Sequence, residues 1–165
     1  VWNGMTLTDG VKAAMETSNA YCKNAQVVVL PKDKAANYSS VEDLKGLSFA
    51  AEGGSAGEEI LTELGYNVTP VTAQSDAIKE VAAGTSDAAV IDLLMAGAMI
   101  GEGTSYDNLT FSFELTSEEY GVGFRKGSDL AQKLNEFFVK VYADGTMAKL
   151  AEQYSISSAN IIEQK

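Results

Sequence analysis

The sequence predicts an α/β fold of mostly parallel sheets flanked by helices, and three observations carry that prediction. Short apolar strands alternate with helical patterns through residues 47–100, the pattern of βαβ units with right-handed crossovers. A glycine closes each helix of that run, at Gly65, Gly84 and Gly101, where a left-handed residue is easiest to place. The strands are apolar on both faces, as strands inside a covered sheet are.

Taken in order, Thr8-Asp9 suits a helix start ahead of Val11, Ala14 and Met15. Residues 26–30 are β-branched, short and closed by Pro31, which reads as a strand. Residues 32–38 are polar and read as a surface crossing. The capping-box pattern Ser39-Ser40-Val41-Glu42 then opens a one-turn helix that Gly46 ends. The alternating run follows: strand 47–51, helix 56–64, strand 67–71, a helix 75–83 capped by Ser75, strand 88–91 and helix 92–100. Two more strands are expected at 109–115 and 120–125, with the acid pair Glu118-Glu119 on a solvated face before the second. Ser128 caps a long helix with Leu130, Leu134, Phe137, Phe138 and Val141 on its apolar side. Asp144-Gly145 breaks it, a short helix covers 146–154, and the tail from Ser155 reads as an ill-defined end.

Composition narrows the function. With 45% hydrophobic and 21% charged residues the chain reads as an ordinary globular protein. Its 23 acidic residues outnumber 12 basic ones, which argues against nucleic acid, whose phosphates need clustered Lys and Arg. The same surface argues against docking on anionic lipid by charge. Histidine is absent, removing the commonest general base and transition-metal ligand. Cys22 is the single cysteine; it reads as a half-buried filler, since no His is there to activate it. No cofactor, metal or catalytic residue is expected. The chain opens Val1-Trp2-Asn3-Gly4 with neither a Met nor a basic leader, and a fragment or processed piece is expected.

The stretch most suggestive of chemistry runs from Phe49 to Glu59, a strand that stops at Gly53-Gly54 and a helix that starts almost at once. Such a turn aims backbone N–H groups at the helix's positive end, ready for an anion or carboxylate. The competing reading is that Ser55 caps the helix with Glu58 in a capping box. Asp92 lies at a second strand end, and ligands of open parallel sheets collect at the carboxyl ends of strands. Amide donors and a carboxylate together suit a small zwitterion; the plainer reading of Asp92 is a helix N-cap. The glycine turn lacks the Lys-Ser/Thr of a nucleotide loop and the full dinucleotide fingerprint, and no Gly-x-Ser-x-Gly elbow occurs.

Seven stretches resemble a known family, in its order and at its spacing. They are residues 2–9, 18–21, 40–46, 54–59, 86–92, 120–127 and 143–150, among them Gly54-Ser55-Ala56-Gly57-Glu58-Glu59 and Ser86-Asp87-Ala88-Ala89-Val90-Ile91-Asp92. The resemblance is to the extracytoplasmic solute-binding proteins of amino-acid ABC transporters, family 3, which have the two-lobed type II periplasmic-binding fold. It implies a division into a remnant of the first lobe (1–26), a second lobe (27–118) and a return to the first lobe (119–165), with the first lobe incomplete. It implies a ligand held between lobes that close by a hinge, with Gly4 and Thr6 on the first lobe and Gly54, Ser55, Ala56 and Asp92 on the second. Asp92 would pair with an α-ammonium, while Thr6 and the amides of the 54–56 turn reach the carboxylate. The implied function is that of an ABC importer's substrate-binding component, delivering an amino acid or similar polar solute to permease subunits. The implied place is the periplasm, or the outer face of the cytoplasmic membrane through a lipid anchor. A ligand-sensing domain of a receptor is the alternative on the same scaffold. An enzyme would need a base or an acid pair, and none is apparent. With a lobe incomplete, weak ligand binding and exposed apolar surface are expected, inviting dimerisation or segment exchange.

One position departs from the family pattern. Five residues after Thr6, where the family has a carboxylate-clamping Arg, the chain has Val11. An Arg there would meet a carboxylate with two parallel hydrogen bonds, and Lys12 points about 100° away around the helix. In the complete protein, Val11→Arg should therefore tighten binding of free amino acids by about tenfold, the scale of one charge-assisted hydrogen bond. Loss of binding in that variant, measured by calorimetry, would mean the carboxylate is held elsewhere.

Overall fold

The computed structural model describes residues 1–154 and 156–165. The chain enters with β1 (Met5–Thr6), α1 (Asp9–Ala14), β2 (Glu16–Thr17) and β3 (Cys22–Asn24). It continues through β4 (Gln26–Pro31), α2 (Lys32–Ala35), β5 (Ser48–Glu52), α3 (Ala56–Glu63) and β6 (Asn67–Val71). Next come α4 (Gln74–Ala83), β7 (Ala88–Asp92), α5 (Leu93–Met99) and β8 (Leu109–Glu114). The last elements are β9 (Glu118–Gly121), β10 (Gly123–Phe124), α6 (Leu130–Ala143) and α7 (Thr146–Gln153). These divide into two compact units, Ala25–Thr116 and Val1–Asn24 with Ser117–Lys165.

The unit Ala25–Thr116 is built on one five-stranded sheet in the order β6-β5-β7-β4-β8. The alternating run gives the expected parallel pairs, β5 with β6 and β5 with β7. However, β4 is antiparallel to both β7 and β8, so the sheet is mixed. Apolar residues on both faces announce burial, and burial carries no information about strand direction. Alternate side chains of each strand feed opposite faces. Val27, Val29, Ala89 and Ile91 pack with Ala77, Ile78 and Val81 of α4. Val28, Leu30, Phe49, Ala51, Ala88 and Val90 pack with Leu61 of α3.

Local signals explain most boundaries. Gly84 ends α4 with φ +75°, a conformation that L side chains rarely adopt. Ser75 is not the cap of α4; the helix begins one residue earlier, at Gln74, whose N–H donates to Glu52 Oε2 at 3.2 Å. The cap is thus supplied by the end of β5, which no local pattern announces. The crossing at 32–38 contains the one-turn helix α2. At the Val41–Leu44 turn the Ser40 N–H donates to Asp43 Oδ2 at 2.9 Å, so the box is Ser40 with Asp43, one residue on from the expected Ser39 with Glu42. Ser48 N–H and Oγ both donate to Asp87 Oδ2, and these hydrogen bonds hold the Asp87 carboxyl below its ordinary range.

In the other unit β9 is the centre of an antiparallel sheet, β1-β9-β3, and β10 pairs with β2. The single strand expected at 120–125 is therefore two, separated by Val122, which is buried and donates to Ser18 Oγ at 2.9 Å. Gly121 lies close under Leu7: a Cβ there would be 2.5 Å from Leu7 Cδ2, and the leucine would have to move aside. Ser128 Oγ accepts from Leu130 N–H at 3.3 Å, while the cap position itself is Asp129, paired with Lys133. Cys22 is buried, and burial raises its thiol pKa, so filler is the reading that fits. Ser155 lies outside the described residues. Beyond it the tail is well held, contrary to expectation: Ile161 bridges Cys22, and buried Gln164 donates to Ala20 O at 2.7 Å.

Trp2, Tyr21 and Phe138 form an aromatic cluster, with centroids 5.5–6.3 Å apart. It opens into an apolar groove of about 520 Å³ that Phe137, Leu150 and Tyr154 also line. Trp2, Phe137, Leu150 and Tyr154 are 48–67% exposed, a large apolar display for a soluble surface. Among the described residues no helix is long and apolar enough to cross a membrane.

Candidate functional site

In the unit Ala25–Thr116, Asp92 ends β7 and occupies the N-cap position of α5. Its side chain makes no capping bond. Both carboxylate oxygens are instead held by glutamine amides: Gln26 Nε2 donates to Oδ1 and Gln74 Nε2 to Oδ2, each at 2.7 Å. The Asp92 N–H donates in turn to Gln74 Oε1 at 3.0 Å. The pairing of β4 with β7 puts Gln26 directly opposite Asp92. Gln74 is delivered by the first residue of α4, itself tied to Glu52 at the end of β5. Gly57 gives Gln26 its room, since a Cβ would lie 3.0 Å from Gln26 Oε1 and 3.1 Å from Val90 O.

Gly54, Ser55 and Ala56 lie at the carboxyl end of β5, the parallel neighbour of β7, so they share an edge of the sheet with Asp92. Their amides are partly engaged. Ser55 Oγ accepts from Glu58 N–H at 3.2 Å, while Glu58 Oε2 accepts from Gly54 N–H at 2.6 Å. Ser55 N–H donates to Glu52 O at 3.1 Å. The capping role of Ser55 is therefore present, with Glu58 reaching one residue further back than in the standard box. The hollow beside this turn, about 440 Å³, is lined by Glu58, Glu59 and Glu63, and three carboxylates repel an anion there.

Gly4 and Thr6 belong to the other unit. Gly4 has φ +75° and lies over the Tyr120 ring, where a Cβ would be 3.3 Å from Cε2. Thr6 Oγ1 donates to Glu118 Oε2 at 3.2 Å, and Asn24 Nδ2 donates to the same oxygen at 3.0 Å. Glu118 is consequently buried, not part of a solvated face; only Glu119 of that acid pair points outward. Alternation along β9 separates the two. Val11 sits in α1 with its N–H on Thr8 Oγ1, and Arg125, the one arginine of the sequence, is exposed. Among the described residues no cluster of His, Cys, Asp or Glu could hold a metal ion.

A model of the bacterial extracellular solute-binding proteins, family 3, matches residues 1–157. The chain belongs to that family. It is 31% identical over 162 residues to a probable histidine-binding protein of Neisseria gonorrhoeae, covering 93% of this chain and 59% of that one. It is 27% identical over 160 residues to the arginine-binding extracellular protein ArtP of Bacillus subtilis (strain 168), covering 93% of this chain and 62% of the relative. Among solved structures, a mutant of ArgBP from T. maritima superposes with a TM-score of 0.82 at 30% identity, covering 92% of this chain and 66% of that chain. The chain thus spans about three fifths of the length of these two curated relatives. The fold is that of the type II periplasmic-binding proteins, an α/β fold with a mixed sheet flanked by helices. The sequence reading singled out Asp92 and passed over Gln26 and Gln74, whose amides hold it. A single signal was available for Gln26: it is the polar residue opening an otherwise apolar strand.

Proposed function

We propose that this chain is the solute-binding part of an ABC importer. It captures an amino acid outside the cytoplasmic membrane, in the periplasm or anchored by lipid to the membrane's outer face, and hands it to permease subunits. The observation that carries the reading is the Asp92 carboxylate, displayed at a strand end and held by two neutral amides instead of capping α5. Both of these donors are neutral, so neither cancels its charge, which suits a ligand's ammonium group. The descriptions of the two curated relatives, one histidine-binding and one arginine-binding, support an amino acid and make those two the first to test. Gly54, Ser55 and Ala56 share the Asp92 edge and are proposed to face the same solute, with the Ala56 amide the best-placed donor for a carboxylate. Binding without turnover is the expected behaviour, because the site offers a fixed carboxylate and no histidine. Calorimetric titration of the complete protein with the common amino acids tests this reading. Heat of binding for at least one of them is expected, and none for all of them overturns it.

The partner reading extends to self-association. The exposed aromatic groove of the unit Val1–Asn24 with Ser117–Lys165 should draw the 165-residue chain into dimers or larger species. Sedimentation velocity checks this, and a boundary of monomer alone counts against it.

A further inference from the structure

We propose that Gln26 and Gln74 are positioning residues for Asp92, fixing the plane and outward aim of the carboxylate that receives the ligand's cation. The proposal rests on the reading of Asp92 as an ammonium acceptor and adds what holds it ready. A carboxylate offers about four lone-pair directions. The two amides reach one oxygen each, and neither brings a charge of its own. A lysine or arginine in either place would form an ion pair and cancel the charge the ligand must meet.

Three features argue that the arrangement serves binding more than stability. Gln74 grips Asp92 twice, donating to the side chain and accepting from the backbone N–H, so the carboxylate is locked to its own main chain. Gln26 is only 2% exposed, at the head of a strand that is otherwise valine and leucine. Burying an amide there costs stability that an apolar residue would not. The glycine at position 57 completes the lock, because its missing Cβ is what admits the Gln26 oxygen.

The test uses Gln26→Met and Gln74→Met in the complete protein, titrated with L-histidine and L-arginine. Met matches Gln in length and shape but offers no amide donor. Each variant should weaken whichever probe the parent binds by about tenfold, the scale of one hydrogen bond to a charged group. The melting temperature of Gln26→Met should stay within a few degrees of the parent's. Undiminished affinity with a lowered melting temperature would mark the glutamines as mere ties between strands, and overturns the proposal. A second arm needs no ligand. The side-chain amide resonances of Gln26 and Gln74 should both shift when Asp92 is replaced by Ala, and unmoved resonances overturn the proposal as well. If neither probe binds the parent, the other common amino acids take their place, and affinity unchanged in both variants for whichever one binds overturns the proposal.

Discussion

Asp92→Ala should cost the complete protein about 2–5 kcal/mol of ligand affinity, the usual result of truncating one partner of a desolvated charge pair. That is a loss of roughly thirty-fold to several thousand-fold. The same change strands the buried Gln26 amide, which loses its Asp92 acceptor at 2.7 Å, so the variant should also melt lower. Asp92→Asn separates the two effects. It removes the charge and keeps the shape of the side chain, but its one acceptor oxygen meets two glutamine donors, so it should melt between the parent and Asp92→Ala and still lose most affinity. Ser55→Ala is the contrast. The Ser55 hydroxyl accepts from Glu58 N–H, and losing that cap should cost about 1 kcal/mol of stability with little change in affinity. Equal, small affinity losses in Asp92→Asn and Ser55→Ala, measured by calorimetry, would remove Asp92 from the centre of the site.

Much of this architecture was legible because it is local. The strand at 67–71 matches β6 residue for residue, and Gly65, Gly84 and Gly145 stop their helices where the pattern placed them. What was not legible depends on partners distant in sequence. Gln26 and Gln74 meet Asp92 from 66 and 18 residues away, and no periodicity encodes such a meeting. The antiparallel entry of β4 is hidden for a related reason: a valine run looks the same in either direction. Glu118 is a different kind of miss. Its segment reads as a loop because two acids stand together, yet in β9 the pleat turns one inward to Thr6 and Asn24 and the other to solvent. The capping role of Ser55 and the strand-end place of Asp92 were both open readings of the sequence. The hydrogen bonds show that Ser55 does cap its helix and that Asp92 does not.

Phe49→Ala should destabilise the unit Ala25–Thr116 by about 3–5 kcal/mol, a large part of the roughly 5–15 kcal/mol that holds a domain folded. Phe49 is the second residue of β5 and fully buried, within the cluster of Val28, Leu30, Leu61, Ala88 and Val90. Its ring stacks on Tyr66 with centroids 5.4 Å apart and planes 25° from parallel, an arrangement that adds to simple area burial. Tyr66 in turn donates its hydroxyl to Val41 O at 2.6 Å, so removing Phe49 also loosens the anchor of the Val41–Leu44 turn. The vacated volume is hard to fill, because β6 and β7 are fixed by backbone bonds on either side of β5. Leu64→Ala is the matched control: Leu64 is 42% exposed, and its loss should cost about 0.5 kcal/mol or less. Urea unfolding followed by circular dichroism reads both, with the transitions fitted separately because the chain has two units. Equal midpoints for the two variants would mean that β5 is not the packed centre of the sheet. The strand's end would then be in doubt too, since Glu52 caps α4 and so places Gln74 against Asp92.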